Sequence, residues 1–326
     1  MHRDNEATTG RRLVDLVEWE RVPVTASASV GEVDLAIGRV GSGRPVGLVV
    51  AGIHGDEGPW GAWAIRKLLE ATSLGELRGS LRIVPVANPL AMEADARNSP
   101  LDSLDLNRSF PGRREGSHTE RLAAALTEGA VEGADVVLDL HGGGSWCVNA
   151  FSFSFPGGEE ISRALGAPFT VRGVERDSTL IGYARKQGAI VAALEMGGRS
   201  EAEEQWADRI AASLRRALGV AGVLAPLSGG IDVMSVRVGV TKVLRPSRGG
   251  VFKPILRTSD VGTIVPEGTR LGHLLDPFTM DVVETFEAPF PETAILLLRP
   301  TLARVEGGAM TYVVAPVLDQ SETWET

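Results

Sequence analysis

His54 and Glu57 stand three residues apart in "VVAGIHGDEGPWGAWAIRKLL" (49–69), where an apolar, strand-like run gives way to a helix-like one. If the turn between them is helical, positions i and i+3 project from one side. An imidazole nitrogen and a carboxylate can then meet the same metal ion. Gly52, Gly55 and Gly58 let the backbone bend tightly there. The pair also suits a plainer role, capping the helix, whose first turn favours carboxylates. His141 adds weight to the metal reading. It follows the apolar run "VVLDL" and precedes three glycines, so two of the five histidines stand just past strand-like segments. With Glu57 they make a His2Glu set with an open fourth position, the arrangement used for catalytic zinc. Donor type alone does not choose among divalent ions. Asp139, two residues earlier on the same strand face, is expected either to orient His141 or to be a buried polar group bonded to backbone.

A third strand end carries Glu195, in "AIVAALEMGG". A carboxylate after such an apolar run is costly unless it is paired or near a cation. Two roles answer that cost: an ion pair with an arginine, or a general base beside a metal that takes a proton from water. The stretch "MEADARNSPLDSLDLNRSFPG" (92–112) is too irregular for helix or strand and holds Arg97, Asn107 and Arg108. Guanidinium forks match carboxylates and stabilise developing oxyanions. A solvated basic loop would look the same in composition, but its place between the metal-binding strand ends predicts a pocket rim.

These residues need a scaffold, and the chain supplies an alternating one. "VGLVVAGI" (46–53), "LRIVPVA" (81–87), "DVVLDL" (135–140) and "AIVAALEM" (189–196) read as buried strands. Helical segments are expected near 58–71, 117–132, 178–187 and 200–218. The alternation predicts an α/β chain: a three-layer α/β/α sandwich around a mostly parallel mixed sheet. In such sheets functional groups collect beyond the carboxyl ends of the strands. The more polar "RVPVTASASVGEVDLAIGRV" (21–40) reads as an edge hairpin. After residue 222 the texture changes to short strands with Pro and Gly turns, a C-terminal all-β domain of barrel-sandwich type. The expected division is therefore an N-terminal segment 1–20, partly disordered, a catalytic domain 21–222 and a β domain 223–326. Within the last, Val265, Gly268, Leu271 and Leu274 are echoed by Val305, Gly308, Thr311 and Val314, a faint repeat of a strand–Gly turn–strand unit. The last lysine is Lys253, before either copy, so a swinging-arm carrier is excluded.

Bulk properties narrow the function. With 326 residues, 43% hydrophobic and 23% charged, the chain is of ordinary globular composition. A net charge of −9 argues against nucleic acid, which demands excess Lys and Arg. The single cysteine, Cys147, rules out a disulfide framework and a Cys-based zinc site within one chain. The start, "MHRDNEATTGRRLVDLVEWE", has no signal-peptide core, and no window approaches the ~18 apolar residues of a membrane span. A cytoplasmic protein is expected. There is no G-x-S-x-G, H-E-x-x-H or H-x-x-E-H, so the serine hydrolase elbow and other zinc-protease signatures are missing.

Taken together, "GIHGDEGPWG", "NP…ARNSPLDSLDLNRSFPG", "VLDLHGGG" and "ALEMGG" resemble the succinylglutamate desuccinylase/aspartoacylase family, of the zinc carboxypeptidase clan. The likeness covers roughly residues 20–315, and the spacing is nearest that of bacterial N-acyl-amino-acid deacylases such as the N-acetyl-diaminobutyrate deacetylase type. The resemblance implies one zinc ion on His54, Glu57 and His141, with Glu195 as the catalytic carboxylate. It makes Arg97 the carbonyl-polarising arginine and Asn107–Arg108 the pair that grips a substrate carboxylate. The chain departs from the family in "FEAPFPETAIL", which lacks the expected Gly turn. The aromatic-rich "SWCVNAFSFSFPGG" is expected near the acyl pocket, where it would suit a less polar acyl group. The function expected is zinc-dependent hydrolysis of an N-acyl amino acid or similar small carboxylate by a metal-activated water. Its partners are that small molecule and no nucleic acid or membrane, with room for a homo-oligomer. The alternatives are a metallocarboxypeptidase acting on short peptides and a non-catalytic binding protein on the same fold.

Overall fold

The computed structural model describes residues 10–28, 31–199, 202–227, 235–300 and 302–319. Of the expected N-terminal segment, residues 1–9 lie outside the described residues, and Leu13–Asp15 form a 3-10 turn. The strands β1 (Glu18–Ser27) and β2 (Gly31–Val40) are the edge hairpin. Then come β3 (Val46–Ala51), β4 (Ser80–Val84), β5 (Val136–His141), β6 (Val148–Ser154), β7 (Phe169–Arg172) and β8 (Ile190–Gly197). Strands β4, β3, β5 and β8 are neighbours in that order and run parallel. Both β3 and β5 are buried along their whole length, which is why each reads as an apolar run rather than an alternating one.

Among the described residues six helices flank the sheet: α1 (Gly58–Ala71), α2 (Pro89–Glu93), α3 (His118–Leu126), α4 (Glu159–Leu165), α5 (Leu180–Lys186) and α6 (Glu203–Val220). Alternate residues of each central strand feed two separate cores. Val49, Ala51, Leu138 and Leu140 pack with Trp60 and Ile65 of α1, Leu165 of α4 and Ile210 and Leu214 of α6. Leu48, Val50 and Val137 pack with Leu122 and Leu126 of α3 and Leu180 of α5. These cores make the three layers. Helix α3 runs on into a π-helical turn, Thr127–Val131, completing the helical stretch expected over 117–132.

Beyond residue 235 every described element but a short 3-10 turn is a strand: β9 (Val236–Arg237), β10 (Lys242–Leu244), β11 (Gly250–Pro254), β12 (Ile264–Pro266), β13 (Arg270–Leu275), β14 (Val282–Glu287), β15 (Glu292–Leu298), β16 (Ala303–Val305) and β17 (Tyr312–Pro316). Four of them, in the order β14-β13-β11-β16, form a second sheet, and no closed barrel results. The repeat falls on β12–β13 and β16–β17, whose turns hold Gly268 and Gly308 at φ of +75° and +81°. The rest extend the main sheet: β15 pairs antiparallel with β6, matching Leu297 to Asn149, and β17 and β10 follow it outward. This pairing brings C-terminal residues to the carboxyl edge of the parallel strands. No helix among the described residues is long and apolar enough to cross a membrane.

Candidate active site

Strand β3 ends at Ala51, and the chain passes Gly52 and Ile53 to reach His54 and a 3-10 turn, Gly55–Glu57, before α1 begins. A Cβ on Gly55 would lie 2.0 Å from the backbone carbon of Ala91, so only glycine lets the turn press against α2. The turn places the two side chains on one side: His54 Nδ1 lies 2.9 Å from Glu57 Oε2. His141, at the end of β5, brings its own Nδ1 to 2.9 Å from the same oxygen. All three residues are well shielded, and the imidazole centroids are 5.0 Å apart.

The outer nitrogens explain this orientation. His54 Nε2 is 3.2 Å from Asp105 Oδ1, and His141 Nε2 is 2.9 Å from Asp139 Oδ2. A carboxylate behind each ring favours the proton on Nε2 and turns the Nδ1 lone pair inward. With that tautomer two lone pairs and a carboxylate oxygen face one point, an arrangement that suits a cation. The donor atoms of His54, Glu57 and His141 all lie within 4.8 Å of one another, so the set fits a divalent ion. Electrostatics agree. Burial alone would lower the His54 pKa, but hydrogen bonds to Asp105 and Glu57 raise it. Burial opposes charge on His141 too, yet Asp139 and Glu57 raise its pKa well above the ordinary value. Glu57 resists the same desolvation through its bonds to both imidazoles, which hold its carboxyl well below the usual range.

Register delivers Glu195. Strand β8 lies beside β5 with Glu195 opposite His141 and Ala193 opposite Asp139, so both strand ends face the same cavity. Burial pushes the Glu195 carboxyl up to about 7, and His141 opposes the rise. Its Oε2 accepts a 2.8 Å hydrogen bond from Asn149 Nδ2 on β6.

The 92–112 stretch forms the rim that its position suggested. Arg97 donates from Nη1 to Glu57 Oε1 and from Nη2 to Asp105 Oδ2, both at 3.2 Å, which parks the guanidinium beside the metal donors. Asp105 caps a 3-10 turn, Leu106–Arg108, by accepting from Asn107 N at 2.8 Å. Asn107 is buried, and its Oδ1 accepts from Leu180 N at 2.9 Å, which turns Nδ2 toward His141 at 3.2 Å. Arg108 lies on the wall with Nη1 donating to Asn107 O at 2.5 Å, its pKa lowered by burial. The cavity holds about 520 Å3 and takes in all seven of the residues singled out from the sequence: His54, Glu57, Arg97, Asn107, Arg108, His141 and Glu195. Trp146, Phe153 and Phe155 from the aromatic stretch line it as well, as do Leu297 and Met310 from the C-terminal strands.

Four contributors carry no motif signal in the sequence. Asp105 sits 51 residues from His54 and meets it only once the rim loop has folded. Asn149 reaches Glu195 through an antiparallel pairing no local pattern signals; its one cue was a polar residue in the apolar run "CVNAF". Arg176 and Thr179, on the loop before α5, line the cavity without any motif around them.

The molecule is thus an α/β chain with a cluster of three donors, able to hold a metal ion, at the carboxyl edge of its parallel strands. Residues 44–220 match the family model described as the succinylglutamate desuccinylase/aspartoacylase catalytic domain, more than half of the chain, and the protein belongs to that family. It is similar to N-alpha-acetyl-L-2,4-diaminobutyric acid deacetylase of Halomonas elongata, 38% identical over 165 residues. That alignment takes in 47% of this chain and 48% of the relative, about half the length of each. The fold is similar to that of an aspartoacylase family protein of Mesorhizobium loti, with a TM-score of 0.78 and 25% identity over 94% of this chain and 96% of the other. It is also similar to the product-bound ectoine utilization protein EutE (DoeB) of Ruegeria pomeroyi, with a TM-score of 0.76 and 25% identity over 92% and 94% of the two chains.

Proposed function

We propose that the protein is a zinc-dependent amide hydrolase that removes an acyl group from an N-acyl amino acid or a similar small carboxylate. The observation that carries the reading is the convergence of His54 Nδ1, His141 Nδ1 and Glu57 Oε2 on one point, beside Glu195 on the adjacent strand. Zinc held by those three donors supplies a Lewis acid for the amide carbonyl and lowers the pKa of a water in the site.

The chain's own residues do the rest. Glu195 takes a proton from the attacking water and delivers it to the leaving nitrogen, so that the C–N bond breaks to give a carboxylate and a free amine. Its place at the end of β8, opposite His141, puts it beside the proposed metal donors for both halves of that task. Arg97, held over Glu57 and Asp105, stabilises the oxyanion as charge develops. Arg108 and the Nδ2 of Asn107 hold the substrate carboxylate and so fix the amide for attack. The aromatic side chains of Phe153 and Phe155 give the cavity an apolar portion for the acyl group. A site of this size, walled by Leu297 and Met310, favours small substrates over peptides.

The deciding experiment is a screen of the purified, zinc-loaded protein against acetyl, succinyl and longer N-acyl amino acids, with detection of the freed amine. Release of amine from none of them, alongside cleavage of peptides longer than two residues, would replace this reading with a carboxypeptidase. Two finer outcomes are expected. Arg108→Ala raises KM for the preferred substrate by ~10-fold or more with a smaller change in kcat, because a charge-assisted bond to a carboxylate is lost. Asn149→Ala removes a donor to the charged form of Glu195, so the acid limb of the pH–rate profile moves to higher pH. An unmoved limb would mean that this hydrogen bond does not tune the base.

A further inference from the structure

Two cavities meet at one side chain. A second cavity, of about 440 Å3, lies beside α5, and of the described residues that line either cavity only Phe155 lines both. The segment 174–179 divides them residue by residue. Val174, Arg176 and Thr179 line the active cavity, whereas Glu175 and Asp177 line the second. Phe155 completes that wall and is only 7% exposed. Its ring lies against the backbone of Gly173, where a Cβ would come within 2.3 Å of Cε1. Gly173 N in turn donates to Ser154 O at 2.7 Å, which ties the segment to the residue before the ring. The ring also belongs to the core cluster that holds Ile181 and Ala193 of the active cavity and Ala189 of the second. Packing on these sides fixes the ring as a partition.

The second cavity suits an uncharged chain. Glu175 pairs with Arg185, and Asp177 Oδ2 lies 2.6 Å from Lys186 Nζ, so its acidic and basic groups are spent on one another. Pro156, Ala189 and Ile190 give it an apolar lining. On the active side, the lining around the partition is apolar as well, with Phe153, Ile181 and Ala193. An acyl chain that grows along this lining meets the Phe155 ring before it can enter the space behind.

We propose that Phe155 is a specificity-determining residue that ends the acyl-binding part of the active cavity, so that the protein takes short acyl groups and excludes medium-length alkyl chains. The proposal rests on the deacylase reading and adds the acyl class to it. Forcing extra methylenes against a packed ring discriminates by ~10-fold or more.

The test measures kcat/KM of the zinc-loaded protein for the N-acetyl, N-butanoyl, N-hexanoyl and N-octanoyl derivatives of the amino acid whose acetyl form turns over fastest, with zinc content and Tm checked in every variant. Wild type is expected to lose ~10-fold or more between butanoyl and octanoyl. Phe155→Ala, which joins the two cavities, should raise the octanoyl-to-butanoyl ratio by at least ~10-fold, since each buried CH2 is worth ~4-fold. Phe155→Leu, which disturbs the core less, should raise it in part. Ile190 is 43% exposed, and Ile190→Trp fills the second cavity from its rim. That change should leave the ratio of the wild type alone and take away the gain of Phe155→Ala. Because the readout is a ratio, any loss common to the substrates cancels. Calorimetric binding of acetate, butanoate, hexanoate and octanoate gives the same comparison without turnover. A wild type that already prefers the octanoyl substrate, or Phe155 variants that keep the wild-type ratio, overturns the role of Phe155 and leaves the deacylase reading standing. A gain in Phe155→Ala that survives Ile190→Trp overturns the part assigned to the second cavity. Absence of turnover on every member of the series counts against the deacylase reading, and the carboxylate series then decides Phe155 by itself.

Discussion

Glu195→Gln is expected to keep its zinc and lose ~10^2- to 10^4-fold in kcat, the range that a positioned general base supplies. Glutamine has nearly the shape of glutamate, so the fold and the three metal donors stay in place; what is lost is the capacity to take a proton. The same variant has a second signature that does not depend on catalysis. In the metal-free protein, burial raises the Glu195 carboxyl from its ordinary 4.5 to about 7. A raised carboxyl binds its proton in the folded state over a range where the unfolded chain has released it. Its stabilising contribution is therefore complete below about pH 4.5 and disappears as pH climbs through about 7. Glutamine has no such titration. Metal-free Glu195→Gln should melt above metal-free wild type at pH 8, and the gap should shrink as pH is lowered toward 4.5. Near-normal turnover would remove Glu195 from the chemistry, and a pH-independent gap would remove the buried-carboxylate account of its pKa.

How much of this was legible beforehand depended on the distance over which each signal acts. The parallel strands could be read because burial on both faces makes "VGLVV" and "DVVLDL" continuously apolar, and the polar residues that break such runs mark their carboxyl ends. His54, His141 and Glu195 are visible for that reason. Glu57 is visible because a helical turn brings i and i+3 together. Asp105 and Asn149 are different. The first meets His54 only after the rim loop folds back over β3, and the second meets Glu195 only through the β6–β8 register. Both are ordinary polar residues until a partner far along the chain arrives. The C-terminal strands show the same limit. Their short runs and Gly turns announce β structure, but the pairing of Leu297 with Asn149, which carries them to the cavity wall, leaves no local trace.

Removal of the metal should abolish turnover and also destabilise the protein in a way that grows with pH. Without an ion, the inward lone pairs of His54 and His141 face Glu57 Oε2 across 2.9 Å, and protons must take the place of the cation. The directions of the pKa shifts reflect that substitution: both imidazoles are raised and Glu57 is lowered. A raised imidazole stabilises the fold fully below its unfolded value of 6.5, and the contribution is lost as pH rises through the higher folded value. The lowered Glu57 stabilises above its unfolded 4.5, and that contribution is lost only in acid, as pH falls through the folded value. The metal-free cluster is therefore best held between about pH 4.5 and 6.5 and weakens in alkali. Zinc bound at these donors would displace the protons and so cancel the alkaline loss. The difference in Tm between zinc-loaded and chelator-treated protein should widen steadily from pH 6 to pH 9. Calorimetry in buffers of different ionisation enthalpy should show protons released on zinc binding near pH 7 and fewer in alkali. One equivalent of zinc should restore turnover to the chelated protein. A Tm difference independent of pH, or zinc binding without proton release, would show that protonated imidazoles do not hold the metal-free site. In that case the inward orientation of the two Nδ1 atoms would need another cause.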